Sequence, residues 1–327
     1  MADYFLGVDT GATKSHALIA DATGRVIGFG SDGPGNHEVV GYPGLIDILN
    51  SITTAALRMA GISKDRLAGA GFGIAGYDWP AEREPTRQAI QTLGISAPFE
   101  FVNDTIIGLL AGAAEGWGVV LEAGTGNNCR GRDRSGREGR VTGAGPMMGE
   151  YAGAGELVAK ALQAVALAWA QRGPATGLTQ AFMELTGAAD PSDLLEGLVL
   201  QRYQLSAEAA PLVFQVAGGG DQVAQEVIHW AGCELGSLAV GVIRQLGLEP
   251  LDFEVVLIGS LFKGSPDLIQ TVRETIHAVA SGARLIRLAA PPVVGGVLLG
   301  MQQAGVEHRR VRQTLIENTY ALLHRDE

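Results

Sequence analysis

Short apolar runs along this chain alternate with segments whose apolar residues recur at helical spacing. In the first third of the sequence, the runs that predict strands cover residues 4–8, 15–20, 25–30, 68–75 and 99–102. Helical spacing predicts helices over residues 44–60, 81–93 and 105–114. Strands that alternate with helices form βαβ units, so this pattern predicts an α/β fold with largely parallel sheets.

The same order of elements starts again near residue 118. The first half runs from Asp9 to a turn at Gly24-Arg25, 15 residues later. The second half runs from Glu122 to a turn at Gly136-Arg137, 14 residues later. This spacing indicates an internal duplication, although chance similarity between two hairpins explains it equally well.

The remaining pattern is mainly helical. It predicts helices over 155–246 with a break at Gly218–Gly220, strands over 253–258 and 283–288, and helices over 266–280, 293–303 and 307–325.

Composition narrows the class of protein. The 327 residues, 46% hydrophobic and 18% charged, are enough for two domains with large cores. The formal charge of −11 argues against a nucleic-acid surface, which usually carries a basic stripe. Cys129 and Cys233 form neither a disulfide framework nor a zinc pattern. We expect a cytoplasmic protein, because the first residues lack signal-peptide features and no apolar run reaches the ~20 residues of a membrane span.

Acidic residues and glycines stand at the ends of five predicted strands, at Asp9, Gly76, Asp104, Glu122 and Gly259. Ligands of open α/β sheets bind beyond the carboxyl ends of the strands, so we expect these positions to line one cleft between two domains. Turns with glycine, hydroxyl and amide groups follow the first and fourth of them, over residues 10–15 and 123–128. Backbone N–H groups in such turns bind phosphate oxygens, which predicts two loops that close on a nucleotide.

Several motifs occur in the order found in the actin-like ATPase superfamily, which includes the sugar kinases. Residues 9–15 resemble its first phosphate motif, 122–127 its second, 256–262 its adenosine motif and 103–105 the segment with its catalytic aspartate. The chain further resembles the subgroup of N-acetylglucosamine kinases and BadF/BadG/BcrA/BcrD-type ATPases, at 36–37, 124–129, 145–150 and 291–296. The resemblance spans residues 4–300. It implies two ribonuclease H-like (actin-like ATPase) domains with an interdomain nucleotide cleft.

The resemblance also implies domain boundaries, cofactors and partners. The N-terminal domain would cover 1–115, the C-terminal domain 116–303, and a C-terminal helix over 304–327 would pack back on the N-terminal domain. ATP and Mg²⁺ are the implied cofactors, and a small-molecule sugar is the implied substrate. No nucleic-acid or membrane partner is expected. The helices between 155 and 246 could support a homodimer.

Carried onto this sequence residue by residue, the resemblance assigns roles. Asp104 would be the general base that takes the proton of a sugar hydroxyl, and Asp9 would anchor Mg²⁺ through water. The residues expected to bind ATP are Gly11, Ala12, Thr13, Lys14, Gly124, Thr125, Gly126, Gly259 and Ser260. The residues expected to bind the acceptor sugar are Asn36, His37, Gly76, Tyr77, Asp78, Asn128 and Glu150.

The sequence departs from the family pattern in three places. Gly11 is the only one left of the three glycines that usually follow the first aspartate, and Ser260 replaces a second glycine. Glu150-Tyr151-Ala152 stands where Asp-Glu-Gly is usual. The longer Glu150 side chain carries its carboxylate one methylene further, which leaves the sugar preference open.

Several of these residues have an equally simple structural interpretation. Asp104 could cap the helix that follows it, and Asp9 could cap a turn. Trp79 could stack on the sugar or only cover a loop. Solvent exposure or core packing alone would account for the others in this group, which are Lys14, His37 and Cys129.

The assignments predict an ATP-dependent kinase that transfers the γ-phosphoryl group to a hydroxyl of an amino sugar, N-acetylglucosamine or else glucosamine or a related hexosamine. The alternative is a BadF/BcrA-type ATPase that acts on a protein or redox partner, in which cysteines hold an iron–sulfur cluster. Neither Cys129 nor Cys233 lies in a cluster-binding motif. A non-catalytic sugar sensor is disfavoured by the acidic charge and by the intact Asp9 and Asp104.

Overall fold

The computed structural model describes residues 3–307 and 310–323, and its strands form two five-stranded sheets. The strands of the first sheet are β1 (Tyr4–Thr10), β2 (Ser15–Asp21), β3 (Val26–Asp32), β4 (Leu67–Ile74) and β5 (Phe99–Asn103). Those of the second are β6 (Gly118–Ala123), β7 (Asn127–Arg132), β8 (Glu138–Arg140), β9 (Phe253–Ile258) and β10 (Ala283–Arg287).

The two sheets repeat one topology. Their strand orders are β3-β2-β1-β4-β5 and β8-β7-β6-β9-β10, with the first three strands antiparallel and the last two parallel to the central one. The hairpin turns also repeat. Asp21 Oδ1 accepts hydrogen bonds from the backbone N–H groups of Thr23 and Arg25, and Asp133 Oδ1 accepts them from the residues two and four positions further on. The predicted internal duplication is therefore confirmed.

Helices cover both faces of each sheet. They are α1 (His37–Ala60), α2 (Arg83–Gln91), α3 (Asp104–Gly112), α4 (Ala154–Trp169), α5 (Leu178–Thr186), α6 (Pro191–Val199), α7 (Ala210–Gly218), α8 (Gln222–Leu246), α9 (Pro266–His277), α10 (Val293–Gln303) and α11 (Arg312–Leu323). The outer face of the first sheet packs on α1 and α2, and that of the second on α8 with α4–α7 and α9 beside it. By length and composition α8 could cross a membrane, but its apolar residues belong to the core of the second domain.

A central layer of two helices, α3 and α10, lies between the sheets. Ile106 and Leu109 of α3 share a core with Val120 and Val256 of the second sheet, while α10 packs on β1 and β4 of the first. Close approach needs glycine here, because a β-carbon at Gly71 would overlap the backbone oxygen of Gly296. The central layer thus joins the two domains below the ends of their strands.

Most predicted elements are confirmed, with shifted boundaries. Helix α1 has a first turn from His37, capped by Asn36, and the backbone then leaves helical geometry at Gly41 (φ 69°, ψ 170°). The helix predicted over 44–60 is the long part of α1 beyond this break. The mainly helical stretch divides into five helices, with the expected break after α7. The proposed domain boundaries stay a prediction. Helix α10 falls within the predicted C-terminal domain but packs on the first sheet. Leu315 of α11 packs with Phe5 of β1.

Candidate active site

A cleft of about 600 Å³ opens between the two domains at the carboxyl ends of the strands. Twelve of the predicted site residues line it, and they come from both domains: Asp9, Gly11, Ala12, Thr13, Asn36, Gly76, Asp78, Asp104, Gly124, Thr125, Gly126 and Asn128. The structure therefore brings together the two glycine-bearing turns and Asp104, as expected for residues at the carboxyl ends of the strands.

The first loop, residues 10–15, is a tight turn between β1 and β2. The Gly11 N–H donates to the Lys14 carbonyl at 3.0 Å, and the Gly11 carbonyl accepts from the Gly35 N–H at 2.9 Å. Buried Thr10 accepts a hydrogen bond from the Ala75 N–H at 3.2 Å, which fixes the end of β1 against the end of β4. The Lys14 side chain is exposed and is absent from the cleft lining.

The second loop, residues 123–128, rests on the beginning of α4. The Gly124 N–H donates to the Gly126 carbonyl at 2.8 Å, and the Ala154 N–H of α4 donates to the Gly124 carbonyl at 2.9 Å. A β-carbon at Gly153 would lie 2.6 Å from the Gly126 Cα, so this approach requires glycine. The loop is thereby held facing the first loop across the cleft.

Three carboxyl groups, those of Asp9, Asp104 and Glu122, line the floor of the cleft. Burial, and next the charge of Glu122, raise the pKa of Asp9 from 3.8 to about 7. Burial, then Glu122 and Asp9, raise the pKa of Asp104 well above its usual range, and burial raises the pKa of Glu122. Raised pKa values of this kind are expected where buried carboxyl groups lie near one another without enough positive charge from the protein.

Asp104 is the first residue of α3, directly after β5. Asn103 is the N-cap of this helix, since its side-chain oxygen accepts from the Thr105 N–H at 3.0 Å. The capping role that the sequence left open for Asp104 thus belongs to Asn103, although Asp104 Oδ1 also accepts from the Thr105 N–H at 2.9 Å.

Asn128 connects the second loop to α3. Its Nδ2 donates to the Thr105 hydroxyl at 3.4 Å, and that hydroxyl donates to Glu122 Oε2 at 3.3 Å. The side-chain oxygens of Asn127 and Asn128 are buried and have no partner among the described residues. Both residues line the cleft.

Two residues that were predicted to bind the sugar, His37 and Tyr77, lie beside the cleft without lining it. The His37 ring stacks on Tyr42 with a centroid distance of 4.7 Å. The Tyr77 hydroxyl accepts from Arg83 Nη1 at 3.3 Å, and its ring packs on Phe101. Both contacts fit a structural role for these side chains.

Glu150 is buried, and its carboxylate binds its own loop. Its two oxygens accept hydrogen bonds from the backbone N–H groups of Thr142 and Gly145. The longer side chain of Glu150 therefore closes the loop over residues 142–150 on itself, and Glu150 is absent from the cleft lining.

Of the two predicted adenosine residues, Gly259 lies beside the second loop and Ser260 lines a second cavity. A β-carbon at Gly259 (φ +109°) would overlap the Ala123 carbonyl oxygen, so this glycine lets β9 end close to the second loop. Ser260 lines a cavity of about 610 Å³ together with Phe214, Gly264 and Ala154. Because Ala154 also bonds to Gly124, the second cavity adjoins the second loop.

Glu122 lines the cleft, as expected for a residue at a strand end, whereas Arg130 is a site residue that the sequence did not predict. Arg130, on β7, is only 3% exposed, and its Nη2 pairs with Asp78 Oδ1 across the cleft. The one signal in the sequence was a charged residue inside a predicted hairpin strand beside the second loop. Its partner, 52 residues away, has no local signal.

The two cysteines lie on different elements, Cys129 on β7 and Cys233 on α8. Cys129 is buried, and burial raises the pKa of its thiol. Cys233, on α8, lies 3.6 Å from His229 Nε2. Among residues 3–307 and 310–323, no three His, Cys, Asp or Glu side chains group closely enough to hold a metal ion by themselves.

Two α/β domains of one topology, with a glycine-bearing loop from each on either side of a cleft, define the actin-like ATPase fold shared by sugar kinases. The chain belongs to the BadF/BadG/BcrA/BcrD ATPase family, whose model matches residues 6–300.

Similar proteins span the whole fold. The N-acetyl-D-glucosamine kinase of Dictyostelium discoideum is 26% identical over 91% of this chain and 98% of its own length. The N-acetylmuramic acid/N-acetylglucosamine kinase of Clostridium acetobutylicum is 22% identical over 92% and 99%. A solved structure of a candidate N-acetylglucosamine kinase from Chromobacterium violaceum superposes with a TM-score of 0.63 at 21% identity, over 91% of this chain and 98% of that one.

Proposed function

We propose that this protein is an ATP-dependent kinase that transfers the γ-phosphoryl group to a hydroxyl of an amino sugar, with N-acetylglucosamine as the first candidate. The observation that carries the proposal is the position of Asp104 in one cleft with a glycine-bearing loop from each domain. The two curated relatives described above, which match over nearly their whole lengths, both act on amino sugars by name.

The nucleotide would extend from the second cavity into the cleft. The adenosine would lie beside Ser260 and Phe214, and the phosphates between Gly11–Thr13 and Gly124–Gly126. Backbone N–H groups of such loops suit phosphate oxygens. Lys14, which is exposed, would contribute at most a distant positive charge.

The acidic floor of the cleft fits Mg²⁺. Asp9 would hold the ion through water, with Glu122 nearby, since Mg²⁺ keeps several waters and takes one or two carboxylates along with phosphate oxygens. When bound, Mg²⁺ neutralises negative charge that develops on the transferred phosphoryl group. The raised pKa values of the carboxylates agree with a site built to hold a cation.

The acceptor would bind on the side of the cleft lined by Asn36, Asp78 and Asn128. Its hydroxyl oxygen attacks the γ-phosphorus, the bond from that phosphorus to the β–γ bridging oxygen breaks, and ADP leaves. Asp104 takes the hydroxyl proton. Because burial raises its pKa, the ionised Asp104 carboxylate is a stronger base than an exposed aspartate.

The alternative of an ATPase with a redox partner has less support. A cluster that bridges two subunits needs accessible cysteines. Cys129 is buried in the core of the second domain, which leaves only the partly exposed Cys233. A cytoplasmic location, a homodimer and the absence of nucleic-acid or membrane partners remain predictions.

A panel of sugars with ATP and Mg²⁺, monitored by ADP release, tests the proposed function. We expect saturable release with N-acetylglucosamine or a related hexosamine, and little without sugar. Release at the same rate with and without every sugar would favour the ATPase. An iron content in the purified protein would favour the redox alternative.

A further inference from the structure

Two contacts join the domains across the acceptor end of the cleft. Asp78 and Trp79 follow β4 in the first domain, whereas Arg130 and Arg140 lie on β7 and β8 of the second. Arg130 pairs with Asp78, and the Arg140 guanidinium lies 4.2 Å from the centre of the Trp79 ring. We call these four residues the clasp.

The Arg130–Asp78 pair is the stronger half of the clasp. Arg130 is 3% exposed, and its Nε is buried without a partner among the described residues, so Asp78 is its main compensation. Breaking a buried pair by removing one partner is strongly unfavourable, because it leaves an uncompensated buried charge. The Trp79 side chain is 48% exposed, so its cation–π contact with Arg140 is the weaker half.

The first-domain half of the clasp is also fixed by hydrogen bonds within its own domain. Glu82 Oε2 accepts hydrogen bonds from the N–H groups of both Asp78 and Trp79 at 2.7 Å. These bonds fix the loop that presents the Asp78 carboxylate to the second domain.

The Arg130–Asp78 pair continues to the catalytic helix. Asp78 Oδ1 also accepts from Asn103 Nδ2 at 3.2 Å, and the same nitrogen donates to the Tyr77 carbonyl at 3.3 Å. The Asn103 side-chain oxygen then caps α3 through the Thr105 N–H at 3.0 Å. An unbroken series of polar contacts therefore runs from Arg130 of the second domain to the helix that begins with Asp104.

We propose that Arg130 is a positioning residue that holds the domains together at the acceptor end and, through Asp78 and Asn103, sets the beginning of α3 and hence Asp104. This role rests on the proposed kinase function. Asp78 Oδ1 already accepts hydrogen bonds from Arg130 and Asn103. A sugar hydroxyl would therefore bind the other carboxylate oxygen of Asp78. Acceptor binding and domain closure are then coupled at one carboxylate.

The test compares Arg130→Met, Arg130→Lys and Asp78→Asn with the control Arg134→Met. Arg134 lies in the neighbouring hairpin turn and stacks on Trp117, outside the cleft. We expect Arg130→Met and Asp78→Asn to lower kcat by up to about 100-fold, because small misplacements of a reacting group cost this much. The KM for ATP should change little, Arg130→Lys should recover part of kcat, and Arg134→Met should behave as wild type.

Hydrogen–deuterium exchange on the protein without substrates gives a second readout. We expect faster exchange in residues 104–108 and 77–82 of Arg130→Met and Asp78→Asn than in Arg134→Met. Unchanged exchange there, or an Arg130→Met enzyme with wild-type kcat, would overturn the proposal. Since exchange needs no substrate, a failed sugar panel would refute the kinase and leave the exchange result standing as evidence on the clasp.

Discussion

At the scale of single residues, the cleft is defined by charge that the protein does not neutralise. Asp9, Asp104 and Glu122 line the cleft as partly buried side chains, and their pKa values are all raised. A fold selected only for stability would avoid this arrangement, because buried like charges disfavour each other's ionised form. These carboxyl groups support the proposal that a cation and a polyanion bind here.

Asp9→Asn should stabilise the metal-free protein at neutral and higher pH. The folded chain holds the Asp9 proton up to a pKa of about 7, against 3.8 as the ordinary value, so the wild type loses stability as the pH rises through this range. We expect the variant to gain on the order of 1–4 kcal/mol at pH 8 in EDTA. Thermal unfolding at several pH values measures this gain, which should shrink towards pH 4.

Asp47→Asn, on the exposed surface of α1, is the matched control and should leave the unfolding temperature unchanged. Added Mg²⁺ should stabilise the wild type more than Asp9→Asn. Equal stability of Asp9→Asn and wild type at pH 8 would show that the ionised Asp9 carboxylate does not destabilise the folded protein.

Asp104→Asn should lower kcat by roughly 10²–10⁴-fold, because the amide cannot take the hydroxyl proton. Nucleotide affinity, measured by titration without sugar, should persist, since the two loops hold the phosphates. Near-wild-type turnover would refute the assignment of Asp104 as the base, and Asp47→Asn again serves as the surface control.

Sequence predicts the residues of this site that stand at strand ends or in glycine turns. Asp9, Asp104 and Gly124–Gly126 were predicted to line the cleft because each stands at or shortly after the end of an apolar run. Arg130 and its contact with Asp78 were missed, because long-range pairs leave no local periodicity. The capture of the Glu150 carboxylate by its own loop also depends on backbone geometry that no sequence pattern displays.

At the scale of elements, the packing of α3 on α10 sets how the two domains meet. A β-carbon at Gly295 would overlap the backbone oxygen of Ile107, and a backbone atom cannot move aside as a side chain can. This glycine therefore fixes the closest approach of the two helices.

Gly295→Ala should destabilise the protein by about 3 kcal/mol or more, because overpacking against backbone forces the helices apart. Gly241→Ala, in α8 with open space around the added methyl group, is the matched control. The control should be neutral or stabilise by up to about 1 kcal/mol through helix propensity. Chemical denaturation measures both, and equal effects of the two substitutions would contradict the account of the central layer.

Elements whose apolar residues keep one periodicity were predicted. Elements whose pattern is interrupted or very short were missed or given shifted bounds. The long part of α1 was predicted, but its first turn from His37 was missed because it lies before the break at Gly41 and shows no apolar pattern of its own. Strand β8 has three residues, too few to show alternation. In both places a tertiary contact or a cap decides what local preference leaves undetermined.

At the scale of the whole molecule, one sheet topology is used twice to build a cleft with two similar walls. Each domain contributes a loop after its first strand, and α3 and α10 join the domains beneath. This arrangement lets closure enclose a nucleotide and an acceptor together, which favours transfer over hydrolysis by excluding water.

A crystal structure with a non-hydrolysable ATP analogue, Mg²⁺ and N-acetylglucosamine tests this account most directly. It should place the γ-phosphate between Gly11–Thr13 and Gly124–Gly126, with an Asp104 oxygen within hydrogen-bonding distance, about 3 Å, of one sugar hydroxyl. Nucleotide bound outside the cleft, or Asp104 turned away from the sugar, would contradict it.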